Sequence, residues 1–179
     1  GAEIGMGDDH DGILILNERV ADDAELGMAI GRALGIEADI LWDLEVNANR
    51  PDAMSVAGVA RDLAAALGVP FSYPDYSITT TGEQVDDLIN VTIEDPTLCG
   101  RFVATVLRDV TVGASPAWMQ NRLTQLGMRP INSVVDISNY VMLELGQPNH
   151  TFDLAAIPNG ALRVRRARDG ETLVTLDDV

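Results

Sequence analysis

Three stretches of this chain of 179 residues are bracketed by residues that start and stop helices, and these brackets restrict the fold more than any other feature. Pro51 and Asp52 introduce the first, and Gly68 and Pro70 close it. Proline has no N–H to lose in a first helical turn, and glycine past the end accepts the left-handed turn that terminates a helix. Between them Val56, Val59, Ala60, Leu63 and Leu67 recur at helical spacing, which predicts a helix with that stripe inward. Ser115 and Pro116 read as the N-cap and first-turn proline of a second helix running through Leu126, with Met119, Leu123 and Leu126 inward and Gly127 as its stop. The third stretch lies within residues 129–153. Val134, Ile137, Val141 and Leu145 share one stripe, Asn132, Asp136 and Asn139 lie opposite, Gly146 ends the helix and Pro148 follows closely.

Elsewhere the apolar period changes to two. Ile89, Val91 and Ile93 alternate with polar residues, as do Phe102, Ala104 and Val106 with their neighbours, and each run predicts a strand. Ile40, Trp42, Leu44 and Val46 predict another, and Ile13–Leu16 reads as a short buried one. Leu162 and Val164 begin a strand, and Asp169-Gly170 signals a hairpin turn into Leu173–Leu176. A helix is expected over 22–34, with Leu26, Ile30 and Ala33 inward and Gly35 past its end, and residues 70–84 read as a linker. Helices segregated from strands in this order indicate an α+β chain, a small helical unit followed by a mixed α/β domain.

The apolar content of 46% supports a real core. No run of 18 apolar residues occurs, so no membrane span is expected. The chain begins at Gly1 with no signal-peptide pattern, as a processed product or cut fragment would. The single cysteine, Cys99, excludes an internal disulfide and fits a reducing, cytoplasmic setting; with no basic partner nearby it reads as a packed or turn residue. The net charge is −16, and every cation is arginine. Residues 1–80 hold 4 Arg against 15 acids, net −11, and residues 81–179 hold 8 Arg against 13 acids, net −5. Such a balance argues against a free-standing nucleic-acid binder, which presents a basic face.

Several groups invite a chemical reading. Asp8, Asp9, His10 and Asp11 suggest a metal site, but adjacent residues point in different directions and nothing completes a coordination shell, so a solvated turn is the better account. Arg50 and Arg61 are placed to pair with Glu45, Asp52 or Asp62. Arg163, Arg165, Arg166 and Arg168 form the basic cluster; on a strand they split between two faces, either ion-paired or positioning phosphates. The densest set of polar groups is the amide-rich side of the third helix with the loop after it. Pro148 pushes Gln147 toward extended geometry, so the chain turns sharply and His150 can fold back near the helix. The alternative is a surface helix with solvated amides and a loop histidine.

The wording of that stretch, Arg129-Pro130-Ile131-Asn132 through Gly146-Gln147-Pro148-Asn149-His150-Thr151-Phe152-Asp153, resembles the editing domain of bacterial phenylalanyl-tRNA synthetase β chains. Asp43 through Asp52, with Ser55, Gly58, Ala60 and Arg61, resembles the small helical domain that precedes it. Arg101-Phe102-Val103-Ala104 up to Ser115-Pro116-Ala117-Trp118-Met119-Gln120, with Arg122 and Leu123, resembles the start of the editing domain. The blocks keep the family's order over nearly the whole chain.

The resemblance implies three segments: residues 1–39 as the tail of an inserted oligonucleotide-fold tRNA-binding domain, 40–79 as the small helical domain, and 80–179 as the first part of an editing domain. It implies a parent that charges tRNA(Phe) with ATP and Mg2+ as an α2β2 assembly with an α chain, and no cofactor within this piece. It implies hydrolysis of tyrosine mischarged onto that tRNA, with His150 and Asn139 as catalytic residues and Ser138, Pro148, Arg129 and Pro130 as substrate-binding residues, Pro148 fixing the loop and Arg129 with Pro130 bracing the start of the helix. Asn149 and Thr151 depart from the apolar residue and alanine more usual there, and the rest of the pocket is expected beyond Val179. A Ser/His/Asp triad is not supported, because Asp136 and Asp153 suit capping and turn roles. A free-standing aminoacyl-tRNA deacylase, or a non-catalytic scaffold for tRNA or subunits, remain the alternatives.

Overall fold

The computed structural model describes residues 20, 24–34, 39–80 and 82–175. The chain divides into two compact units, Gly1–Leu44 and Glu45–Val179. In the first, the helix expected over 22–34 shortens to α1, Ile30–Ala33, and Leu26 is 99% exposed. Its apolar residues have no described surface to bury against, and four residues are too few to sustain a helix by propensity. The 40–46 alternation forms no strand, and Ile40, Trp42 and Leu44 are exposed. Alternation states which face a strand would bury; a ladder partner is what makes the strand. The acidic turn at 8–12, the Ile13–Leu16 run and Gly35 lie outside the described residues.

The second unit starts with a short 3-10 turn at Pro51–Ala53 and helix α2, Val56–Leu67. Ser55 caps α2 by accepting the Gly58 N–H at 3.0 Å, and Gly68 ends it with φ 66°. The boundaries follow the brackets, but the buried face does not follow the expected stripe. Val56, Leu63 and Leu67 are exposed, whereas Ser55, Gly58 and Ala64 are buried. The reason is close approach: a Cβ on Gly58 would stand 1.7 Å from the Asp52 carbonyl oxygen. Small residues on one side of α2 let the preceding turn and a later helix pack against it. Arg50 bridges Asp52 and Asp62 at 2.9 and 2.8 Å, and Arg61 bridges Asp52 at 2.8 Å, so these cations are structural.

Residues 69–80 have no regular structure, and the Tyr76 hydroxyl donates to Glu144 at 3.1 Å. Strand β1, Asn90–Ile93, pairs in parallel with β2, Ala161–Val164. Parallel strands require a crossover, here carrying α3, Ala117–Gln125, and α4, Ser133–Leu145. The register sets Val91 opposite Leu162 and Ile93 opposite Val164, so both strands turn their apolar residues to one face and Thr92 and Arg163 to the other. A one-residue slip of either strand would turn its two apolar residues to the other face, which is what fixes the register. Gly160 lies against β1's approach, where a Cβ would come 2.4 Å from the Leu88 carbonyl oxygen.

Three further expectations change. Phe102–Leu107 is not a strand, since no ladder forms beside it. Asp169-Gly170 does make a turn, with the Glu171 N–H on the Arg168 carbonyl at 3.0 Å, but residues 171–175 form no returning strand and Leu176 lies outside the described residues. Because β2 ends at Val164, only Arg163 of the basic cluster lies on a strand. The core of the unit is Ala64, Ile89, Met119 and Leu123, with Leu123 wholly inaccessible. Among the described residues no helix is long and apolar enough to cross a membrane.

Candidate functional site

Helix α4 carries the candidate residues, and what holds it begins one helix earlier. Ser115 is not the cap of α3; Pro116 occupies that position without a side-chain cap. The Ser115 hydroxyl instead donates to Asp136 Oδ2 at 2.5 Å, and the Ile131 N–H donates to Asp136 Oδ1 at 2.8 Å. Asp136 is 1% exposed, so the α4 face expected to be polar and outward is turned inward at this position, while Ile137 is exposed. The reversal has a physical cause. A carboxyl with two donors is satisfied when buried, and it ties α4 to both the loop before it and the start of α3. Leu126, expected inward on α3, is exposed. Asn132 caps α4, its side-chain oxygen accepting the Val134 and Val135 N–H groups at 3.1 Å each. Gly146 ends α4 with φ 80°.

Gly146 also meets α2: a Cβ there would lie 3.2 Å from both Cβ and Oγ of Ser55. The chain leaving Gly146 then runs back along α4. The Ser138 hydroxyl donates to the Asn149 carbonyl at 2.9 Å, and the Asn149 side-chain amide donates to the Ser138 carbonyl at 3.3 Å. At about 1.5 Å of rise per residue, Ser138 lies roughly 12 Å up the axis from the helix end, so the chain leaving Gly146 must run nearly extended to lay Asn149 against it. His150 follows in an exposed position, its ring 6.3 Å from that of Phe152. Asn139, beside Ser138 on α4, is half-buried. Arg129 and Pro130 stand at the opposite end of α4, one exposed and the other half-buried. The structure therefore brings Ser138 and Asn149 together, leaves Pro148 exposed in the loop before Asn149, and places Asn139 and His150 one residue beyond the contact. Arg129 and Pro130 lie at the helix start.

Asp153 keeps to a turn role, accepting the Ala155 N–H at 2.9 Å. Residue reasoning missed Asn149 as a contact to α4 and Asp136 as its anchor. The only available signal was the short spacing of Asn132, Asp136 and Ser138 after a proline, which cannot say which of them turns inward.

The basic cluster is largely engaged. Arg163 bridges Glu94 at 3.3 Å, Arg165 holds both oxygens of Glu171 at 2.7 and 2.8 Å, and Arg166 pairs with Asp95. The Arg165 guanidinium, helped by the Arg168 N–H, holds the Glu171 carboxyl down at about 2. Thr97 and then Arg166 lower that of Asp95. Cys99 sits in the turn after Asp95, its N–H on the Asp95 carbonyl at 3.1 Å. A shallow groove of about 420 Å³ runs beside β1, lined by Val85, Ile89, Val91, Phe102 and Ala104 among others, and none of the candidate residues faces it. It is open, and its lining mixes these apolar side chains with Asp86, Asn90 and Arg101.

Residues 98–179 match the B3/4 domain family. The chain is 42% identical over 175 residues to the phenylalanine–tRNA ligase beta subunit of Geobacter sulfurreducens, covering 98% of this chain and 21% of that protein. It is 46% identical over 179 residues to the protein of that name from Dehalococcoides mccartyi, covering 99% and 21%. The counterpart from Symbiobacterium thermophilum is 47% identical over 178 residues, covering 98% and 20%. The chain thus spans about a fifth of the length of the curated relatives it matches. Over 98–99% of its length the chain therefore corresponds to a segment of phenylalanine–tRNA ligase β subunits, and its residues 98–179 match the B3/4 domain.

Proposed function

We propose that this segment supplies part of a hydrolytic editing site to a phenylalanine–tRNA ligase β subunit. Its complete enzyme would be a cytoplasmic α2β2 assembly that charges tRNA(Phe) with ATP and Mg2+. The bond cut is the ester joining a wrong amino acid, chiefly tyrosine, to the 3′ end of the tRNA. A synthetic pocket shaped for phenylalanine rejects tyrosine through steric and desolvation terms around one extra hydroxyl, and a second hydrolytic site acts as a second sieve. An aminoacyl ester is already activated. Holding its carbonyl and placing a water therefore lower the barrier without a strong nucleophile.

The single observation that supports this reading is the fold-back of the Gln147–Phe152 loop onto α4 through Ser138 and Asn149. It gives Asn139, with an amide that both donates and accepts, and His150, exposed to an incoming chain end, a common framework. In this reading Asn139 holds the ester carbonyl or the terminal ribose, and His150 orients the water. Pro148 fixes the loop, Ser138 shapes the site, and Arg129 with Pro130 braces the start of the helix. Among the described residues no three His, Cys, Asp or Glu side chains gather to hold a metal ion. Arg163, Arg165 and Arg166 are each paired with an acid at the surface.

The test uses the assembled ligase and tRNA(Phe) preloaded with tyrosine. His150→Ala and Asn139→Ala each slow tyrosine release at least about tenfold, the scale of one lost transition-state contact. Charging with phenylalanine is followed in the same preparations to report folding. Undiminished release in both variants removes this surface from the reaction.

A further inference from the structure

The contact between α4 and its returning loop is made twice, in opposite directions, through one pair of residues. The Ser138 hydroxyl hydrogen goes to the Asn149 main-chain carbonyl at 2.9 Å, and the Asn149 amide hydrogen goes to the Ser138 main-chain carbonyl at 3.3 Å. A single hydrogen bond would let the loop pivot; two, from the main chain and the side chain of the same residue, fix both its position and its rotation. A helix carbonyl has a second lone pair to offer, so Asn149 binds without opening α4. The other end of the loop is anchored as well, because Gly146 abuts Ser55 and Pro148 has a restricted φ. Among the described residues the His150 side chain makes no hydrogen bond or ion pair, and its ring stands 6.3 Å from that of Phe152, so the backbone of Asn149 is the nearest fixed point from which its place is set.

We infer that Asn149 is a positioning residue, which with Ser138 clasps the loop to α4 and sets where the His150 imidazole stands. The Ser138 hydroxyl serves the clasp and does not contact the substrate. This rests on the editing reading above. Asparagine is specific here: alanine has no donor, and aspartate would set a carboxyl oxygen against the Ser138 carbonyl.

The experiment compares Asn149→Ala, Asn149→Asp, Ser138→Ala and the Ser138→Ala/Asn149→Ala double variant in the assembled ligase. Steady-state release of tyrosine from preloaded tRNA(Phe) gives kcat and KM, and amide hydrogen exchange of the peptide spanning residues 146–154 reports the loop. Each single variant is expected to lower kcat about three- to tenfold, the scale of one neutral hydrogen bond, with KM changed by less than about twofold and with faster exchange. The double variant falls no more than about twofold below the worse single, because both bonds serve one clasp. Unchanged exchange in Asn149→Ala overturns the clasp. Faster exchange with unchanged kcat overturns the positioning role, and a raised KM in Ser138→Ala without faster exchange returns Ser138 to the substrate. If His150→Ala and Asn139→Ala both leave release intact, the editing reading fails, and the exchange data still decide whether the clasp exists.

Discussion

Replacing Asp136 by alanine should cost this fold more than any other single change on α4. The side chain is 1% exposed and accepts two hydrogen bonds, from the Ser115 hydroxyl at 2.5 Å and the Ile131 N–H at 2.8 Å. Truncation leaves both donors without their partner, the Ser115 hydroxyl in a site that is only 5% exposed and the Ile131 N–H at its part-buried edge. Each stranded donor costs about 1–3 kcal/mol. The serine hydroxyl rotates to find another acceptor, whereas the Ile131 N–H is fixed to the backbone, so the expected loss is about 2–4 kcal/mol. Asp136→Asn separates the hydrogen bonds from the rest: its oxygen still accepts from Ile131, its amide donates to the Ser115 oxygen, and the loss should stay below about 1.5 kcal/mol. Urea unfolding followed by far-UV circular dichroism measures both. A loss under about 1 kcal/mol for Asp136→Ala with an unchanged denaturant slope would refute the reasoning, since it would mean that the two donors find water or other partners without strain.

The glycines of α2 should behave oppositely to their apparent importance in sequence. Gly58→Ala forces a methyl to within 1.7 Å of the Asp52 carbonyl oxygen and should cost about 2–3 kcal/mol or melt the Pro51–Ala53 turn, whereas Gly68→Ala, with φ 66° and open space, should cost about 1–2 kcal/mol by urea unfolding. Below the ordinary carboxylate range the turn at 168–171 should loosen. The Arg165 guanidinium lowers Glu171 to about 2, so its contribution is complete above the unfolded value near ~4.3 and is lost as pH falls toward the folded one. Arg165→Ala should return the Glu171 carboxyl toward that ordinary value in an NMR titration, and an unmoved titration would discount the pair.

How much of this was legible beforehand differs by element. The ends of α2, α3 and α4 were readable because proline and glycine act through their own backbone geometry, and Gly68, Gly127 and Gly146 all adopt positive φ where expected. Strands β1 and β2 were readable as alternating runs, but their pairing with each other was not, because parallel register depends on residues 71 positions apart in the chain. The equally alternating runs at 40–46 and 102–107 stay unpaired among the described residues. The candidate site divides in the same way. Pro148 and Gly146 foretold a sharp bend after α4. Periodicity gave no hint that Asn149, rather than His150, would be the residue touching the helix.

The amino-acid order by itself determined where α2, α3 and α4 end, which of the two paired strands' faces is apolar, and which family the chain resembles, because these depend on local backbone preference and residue identity; it did not determine the extent of α1. Only the tertiary structure decided which face of each helix is buried. On α2 close packing selects Gly58 and Ala64 over larger neighbours, and on α4 two converging donors make it favourable to bury Asp136 and leave Ile137 in solvent.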